Sequence, residues 1–176
     1  EGCVNSGNTT NWTFTQTYAI SGTVYSDEGS TPLTGVTIAA SLNGGAAAGT
    51  DAVDGGGQYT ITGLTMTGGT IISLYVDGSA SNKAVTVTLG SGSTMTGVHL
   101  YKDHLIVRSD SGSVALTNAH LNIADNNSDT DISALYSVNA SNVLSVSAGK
   151  ELYVWTGDNY TPGGAVTADD VEIKGT

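Results

Sequence analysis

Residues 11–25 of this chain, NWTFTQTYAISGTVY, place the strongest constraint on its fold. Apolar and polar residues alternate along most of the stretch, and β-branched and aromatic side chains are frequent, which is typical of a half-buried β-strand. At about 3.3 Å per residue the stretch would span roughly 50 Å, whereas an ordinary strand is ~20 Å long. Either the strand breaks near residues 19–22, or its first half leaves the domain and pairs with another molecule.

The second interpretation makes this stretch a donor strand for a neighbouring subunit. The apolar side chains on its even positions would be costly to leave in water, so they need a groove. Strand addition to a sheet edge would supply that groove together with backbone hydrogen bonds. The residues predicted to lie at this subunit interface are Trp12, Phe14, Gln16, Tyr18 and Ile20. The alternative is one long, kinked first strand that crosses between the two sheets of a sandwich.

The composition predicts an all-β protein. The 176 residues include 24 glycines but only two prolines and one phenylalanine, and threonine and valine are abundant. Such a chain is typical of many strands joined by glycine-rich turns. No convincing amphipathic helix is found; the best candidate lies at residues 129–138. We predict two β-sandwich domains, Ig-like or prealbumin-like, preceded by the extended N-terminal strand.

The strongly negative net charge argues against two classes of binding partner. The net charge is −11, and only 12% of residues are charged. This balance argues against nucleic acid and anionic membranes, both of which require basic patches. The chain contains no long apolar run and begins with EGC rather than Met, so we expect a mature secreted or cell-surface product. The single Cys3 leaves an intermolecular bridge, a lipid anchor and mere chance open.

The chain divides by pattern into three parts. Residues 1–17 form the N-terminal extension, residues 18–101 a first sandwich, and residues 102–176 a second sandwich or β-roll. Within the first sandwich, residues 44–57 are expected to form a long glycine-rich loop. The strands predicted for the last part are 105–108, 114–117, 120–123, 135–138, 143–146, 152–155, and 166 or 171–173.

The first sandwich carries a family resemblance. Its matching positions are Ile20, Gly22, Val24, Pro32, Leu33, Gly35, Val36, Ile38, Thr50, Asp51, Gly57, Tyr59, Ile61, Gly63 and Leu64. In this order they resemble the carboxypeptidase regulatory-like domain over about residues 18–101. The resemblance implies a seven-stranded, prealbumin-like sandwich that serves as an accessory or surface module without catalysis. The chain departs from the family by a Gly/Ala-rich insertion between Leu42 and Tyr59.

Catalytic signals are weak. The three histidines, His99, His104 and His120, show no HExxH motif and no pair at metal-ligand spacing. No G-x-S-x-G elbow is present, and the acidic residues cluster in predicted loops. We therefore predict that the protein is not an enzyme and needs no cofactor.

The acidic segment 125–131, DNNSDTD, is the best local candidate for a metal site. Asp125, Asn127, Asp129 and Asp131 alternate, as the oxygen ligands of a calcium loop do. The match is incomplete, because Thr130 replaces the turn glycine and Tyr136 stands where a bidentate glutamate belongs. A polar turn is the alternative.

Two further patterns bear on carbohydrate. Five N-x-S/T sequons predict glycan attachment if the chain is secreted by a host that glycosylates: Asn8, Asn11, Asn126, Asn139 and Asn159. Tyr153 and Trp155 lie two positions apart on one strand face, so they could form a platform that binds sugar, although such pairs are also typical of a core.

Together these patterns predict an extracellular structural subunit. Copies of the chain would polymerise head-to-tail by strand donation into a helical homopolymer, either a filament or a surface layer, because such contacts do not close. The alternative from another class is a carbohydrate-binding or accessory module of a larger secreted enzyme or adhesin.

Overall fold

The computed structural model describes residues 15–125 and 129–176 of the chain. Strands predominate there and two short helices occur, which confirms the coarse prediction of a mostly β fold. The strands are β1 (Tyr18–Tyr25), β2 (Thr37–Leu42), β3 (Ala47–Ala52), β4 (Gln58–Leu64), β5 (Gly68–Asp77), β6 (Val85–Ser91), β7 (Leu100–Tyr101), β8 (His104–Ser109), β9 (Tyr136–Val138), β10 (Leu144–Val146), β11 (Glu151–Val154), β12 (Val166–Thr167) and β13 (Asp170–Ile173). The helices are α1 (Asn118–Ala124) and α2 (Thr130–Ser133).

A seven-stranded sheet in the order β13-β11-β8-β6-β5-β2-β3 forms the middle of the fold. β6, β8, β11 and β13 run parallel to one another, and the remaining neighbours are antiparallel. Strand β5 is buried on both faces: Ile72 and Leu74 lie in one core cluster, whereas Ile71 and Tyr75 lie in another. This explains why its sequence, TIISLYV, is almost continuously apolar.

The first covering layer is a small sheet in the order β4-β1-β7. It encloses a core with β2 and β5, in which Ile20, Val24, Ile61 and Leu74 are almost fully buried. The connection from β6 to β7 lies against β1, because the Val98 amide donates to the Ser21 carbonyl at 3.0 Å. The connection thus crosses over this layer, as parallel strands such as β6 and β8 require.

The second covering layer lies on the opposite face of the central sheet. It consists of α1, α2 and a small sheet in the order β12-β10-β9. Leu121, Ile132, Tyr136 and Leu144 from this layer pack against Leu105 and other residues of the central sheet. The long connection from β8 to β11 therefore supplies the core on this face.

The central sheet spans the predicted boundary between residues 101 and 102. β8 pairs with β6 on one side and with β11 on the other. One continuous sheet therefore contains strands from both parts of the chain. The arrangement as two separate sandwich domains is not confirmed.

Three local predictions were wrong, one for a loop and two for strands. Residues 47–52, predicted to lie in a loop, form the edge strand β3, where Gly49 lies so close to Ile61 that a Cβ would be 2.7 Å from its Cγ2. The close contact between β3 and Ile61 requires a small residue, which explains why this Gly/Ala-rich segment can form a strand.

The strand predicted at 120–123 is replaced by α1, and residues 114–117, also predicted as a strand, lead into this helix with only an isolated bridge from Leu116 to Tyr160. Thr117 caps the start of this helix, and the apolar face of the helix, which contains Leu121 and Ala124, is buried in the core. The side chain of Thr117 accepts from the His120 amide, and this cap stabilises the helical conformation over the strand. Neither helix in the described part of the chain has the length and apolarity needed to cross a bilayer.

Candidate functional site

An apolar groove of about 350 Å³ lies at the β13 end of the central sheet. Because β11 and β13 pair in register, Leu152 lies beside Val171 and Val154 beside Ile173. The groove is lined by these four side chains and by Tyr160, Pro162, Val166 and Ala168. Val171 is 44% exposed and Ile173 is 61% exposed, so the groove is open to solvent.

A buried polar residue fixes one side of this groove. The Asn118 amide donates to the carbonyls of Asn142 and Ala165 at 2.7 and 3.1 Å, and its side-chain oxygen accepts from the Tyr160 hydroxyl. Asn118 is fully buried, so losing any of these bonds would leave a costly unpaired group. The groove is therefore held by a network rather than by loose loops.

The strand beside the groove is an edge. In the described part of the chain, β13 pairs only with β11, so its other side presents backbone groups without a strand partner. Side chains alternate along a strand, so Glu172 faces away from Val171 and Ile173. One face of this edge is therefore apolar, while the other is charged.

The predicted donor residues divide into two groups. Tyr18 and Ile20 belong to β1 of their own chain: Ile20 is fully buried and pairs with Ile61 of β4. Gln16 is exposed and precedes the first strand. Trp12 and Phe14 lie outside the described residues.

Tyr153 and Trp155 belong to an aromatic cluster on the other face of the sheet. The rings of Tyr101 and Tyr153 meet edge to face at 5.5 Å, and Arg108 lies 5.3 Å from the centre of the Trp155 ring. Tyr153 is only 6% exposed, whereas Trp155 is half-buried. Tyr153 thus presents little surface on which a sugar could stack.

A mixed group of possible metal ligands borders this cluster. Ligand atoms of Glu28, His104 and Glu151 lie within 4.8 Å of one another. The register of β8 and β11 places His104 directly opposite Glu151, and the loop after β1 brings Glu28. Burial raises the pKa of Glu151, the His104 ring lowers it, and repulsion from Glu28 raises it further.

Two of the three described carboxylates of the predicted calcium segment, those of Asp129 and Asp131, have structural roles. The Asp129 side chain caps α2 by accepting from the Asp131 amide at 2.8 Å. Asp131 forms an ion pair with Lys83 and accepts from the Gly78 amide at 2.8 Å. Burial raises the pKa of Asp125 to about 6. Among the described residues these three carboxylates do not form a metal-binding group; Asn127 lies outside them.

The sequons also fall into two groups. Asn139 and Asn159 are exposed, and the Asn139 oxygen accepts from the amides of Ser141 and Val143 in the turn between β9 and β10. Asn8, Asn11 and Asn126 lie outside the described residues, as does Cys3. Glycan attachment stays a prediction at all five positions.

Sequence reasoning missed both the groove and the mixed ligand group. The alternation of Val171 and Ile173 indicated a strand, but only the pairing with β11 shows that their face lies at a sheet edge. Similarly, 76 positions separate Glu28 from His104, so no local spacing indicated that they meet. Both sites depend on strand order.

Comparisons with protein-family models, with curated proteins and with solved structures found no match. The resemblance to carboxypeptidase regulatory-like domains therefore stays a prediction.

Proposed function

We propose that the protein is an extracellular structural subunit that polymerises head-to-tail by β-strand donation. Residues 11–17 of one copy would pair with the free edge of β13 in the next copy. Trp12 and Phe14 would then fill the apolar groove. The observation that carries this proposal is the open groove beside a strand edge that pairs with no other strand between residues 15 and 125 or 129 and 176.

The spacing of the apolar side chains supports this pairing. Trp12 and Phe14 are two residues apart, so on a strand they share one face and are separated by about 7 Å. Val171 and Ile173 have the same spacing on β13. A donor strand in register could therefore extend the apolar face of the sheet by two aromatic side chains.

The energetics also favour an intermolecular strand. Burying a large apolar side chain contributes ~1.5–3 kcal/mol, and an added strand gains backbone hydrogen bonds as well. The opposite edge strand, β3, offers mainly exposed alanine, glycine and threonine. The β13 edge is therefore the better acceptor.

The test compares assembly of the full chain with three variants. Deletion of residues 1–14 leaves β1 and the described core intact, and Ile173→Lys places a charge in the groove at an exposed position. Val114→Lys is the matched control, because Val114 is an exposed valine outside the groove (51%). Light scattering after size-exclusion chromatography and negative-stain electron microscopy measure oligomers and fibres.

We expect fibres or an oligomer ladder from the full chain and Val114→Lys, but monomers from the other two variants. A synthetic peptide of residues 8–17 should bind the truncated protein and fail to bind when Ile173 is lysine. A full chain that stays monomeric at every concentration would refute the proposal. If the full chain is monomeric but the peptide binds the truncated protein, the N-terminal segment of each chain would occupy the groove of that same chain.

The carbohydrate-binding alternative rests on Trp155, which is half-buried at the border of the aromatic cluster. It predicts a monomer that is retarded by polysaccharide in affinity electrophoresis. Replacement of Trp155 by alanine should then abolish retardation, whereas Ile173→Lys should not. This alternative and strand donation thus involve different faces of the central sheet.

A further inference from the structure

We propose that Glu28, His104 and Glu151 form a binding site for a divalent transition-metal ion, for which Zn²⁺ is the probe. The site does not depend on strand donation, because it lies on the charged face of β13 rather than on the groove face. Four observations support it.

The first observation concerns the Nδ1 proton of His104. Its Nδ1 atom lies 2.6 Å from the carbonyl oxygen of Lys102. A carbonyl oxygen can only accept, so Nδ1 carries the proton. In the neutral ring Nε2 then holds a lone pair, and this is the form in which histidine binds metals.

The second observation concerns the surroundings of Nε2. This atom is buried and has no hydrogen-bond partner. It lies 3.3 Å from Glu151 Oε2 and 3.8 Å from Glu28 Oε1. A lone pair facing two carboxylates is unfavourable unless a proton or a cation lies between them.

The third observation distinguishes a metal ion from a simple hydrogen bond. Glu151 Oε2 is close to Nε2 but lies outside hydrogen-bond geometry, so it is not aligned with the ring nitrogen. A metal ion would occupy the aligned position, with the carboxylate oxygens beside it. Tetrahedral ligands at about 2.0–2.1 Å from Zn²⁺ are roughly 3.3 Å apart. The distance from Nε2 to Glu151 Oε2 is 3.3 Å, and Glu28 Oε1 is slightly further from Nε2, at 3.8 Å.

The fourth observation is the charge and access of the site. His104 and Glu151 border a pocket of about 240 Å³ that is otherwise lined mostly by charged residues. Two lysines in this region pair with other carboxylates: Lys150 with Asp103, and Lys174 with Glu172. Asp170 lies opposite Glu151 in the β11–β13 register, and Glu172 follows two positions later on β13, so further carboxylates adjoin the site. A divalent cation would relieve this excess of negative charge.

The types of the three ligand atoms indicate which class of metal ion the site would bind. One imidazole nitrogen and two carboxylate oxygens suit Zn²⁺ and related first-row ions, whereas calcium prefers six to eight oxygen ligands. The ion would join the loop after β1 to β8 and β11. We therefore expect Zn²⁺ to stabilise the fold and calcium not to compete with it.

The test is calorimetric titration of Zn²⁺ into the full chain carrying Cys3→Ser, which removes the only thiol as a competing ligand. Glu28→Gln is the main variant, because the Glu28 side chain is 49% exposed and its replacement should leave the fold intact. Asp170→Asn is the matched control: it removes the same charge close to the site without removing a ligand. Circular dichroism checks that all variants are folded.

We expect one Zn²⁺ per chain, at least about tenfold weaker binding in Glu28→Gln and Glu151→Gln, and a much smaller change in Asp170→Asn. Bound Co²⁺ should show the visible absorption of a tetrahedral site, which Glu28→Gln should reduce. Absence of Zn²⁺ binding would mean that a protonated His104 pairs with the glutamates instead, and would refute the proposal. Equal losses in Glu28→Gln and Asp170→Asn would also refute it, since they would indicate only diffuse attraction.

Discussion

Arg108 and Asp110, two residues apart at the end of β8, form a bidentate ion pair. The guanidinium donates from Nε to Oδ2 at 2.9 Å and from Nη2 to Oδ1 at 2.6 Å. Its remaining Nη1 group donates to the Gly97 carbonyl at 2.8 Å, and Thr88 donates its hydroxyl to Asp110 at 2.7 Å. The pair therefore joins β6, β8 and the connection to β7 in one network.

Breaking this pair should destabilise the protein strongly. Arg108 is only 8% exposed, so Asp110→Asn leaves a largely buried cation without its counter-charge. We expect Asp110→Asn to lower the free energy of unfolding by about 3 kcal/mol. Urea denaturation followed by circular dichroism measures this change.

A double variant provides the control for that experiment. Arg108→Met combined with Asp110→Asn should cost less than the sum of the two single changes, because no unpaired charge remains. Strictly additive losses would indicate that the two side chains act independently.

Gly22 should tolerate no side chain. A Cβ at this position would lie 1.9 Å from the Val98 carbonyl oxygen, and backbone on both sides cannot move away without disrupting β1. We expect Gly22→Ala to cost about 3 kcal/mol in thermal or urea unfolding.

Gly55→Ala is the matched control for Gly22→Ala, because no atom lies within 4 Å of a Cβ built there. Its stability should stay within about 0.5 kcal/mol of the wild type. Similar losses in both alanine variants would contradict the close approach of β1 to the β6–β7 connection.

His120 should make the start of α1 sensitive to acid. The Thr117 amide donates to His120 Nδ1 at 3.2 Å, which requires an unprotonated nitrogen. Burial lowers the pKa of His120 below its ordinary 6.5. Between the folded-state and unfolded-state pKa values the unfolded chain binds more protons, so stability rises with pH there and is lost as pH falls below 6.5.

His120→Gln should remove this component, because glutamine at the same position of a capping box can accept without titrating. We expect the stability of the wild type to fall more steeply than that of the variant as the pH falls from neutral to mildly acidic. The comparison is needed because burial also lowers the pKa of His99, which contributes to both proteins. Parallel stability curves would refute a role for His120.

Much of the fold could be predicted from local pattern. Alternation in residues 18–25 correctly predicted a strand, because this pattern depends only on which face is buried. Helix α1 was missed, since its few turns depend on the cap at Thr117 rather than on a long periodic face. Edge strand β3 was missed because its small side chains carry almost no periodic signal.

The candidate sites depend on contacts between distant parts of the chain. By itself the sequence determined a mostly β protein, because the side-chain alternation of a strand is a local property. Tertiary structure alone decided that Glu151 lies opposite His104 and that Val171 lies beside Leu152, because strand pairing joins residues far apart in the chain. Strand order cannot be deduced from alternation, since every half-buried strand alternates in the same way.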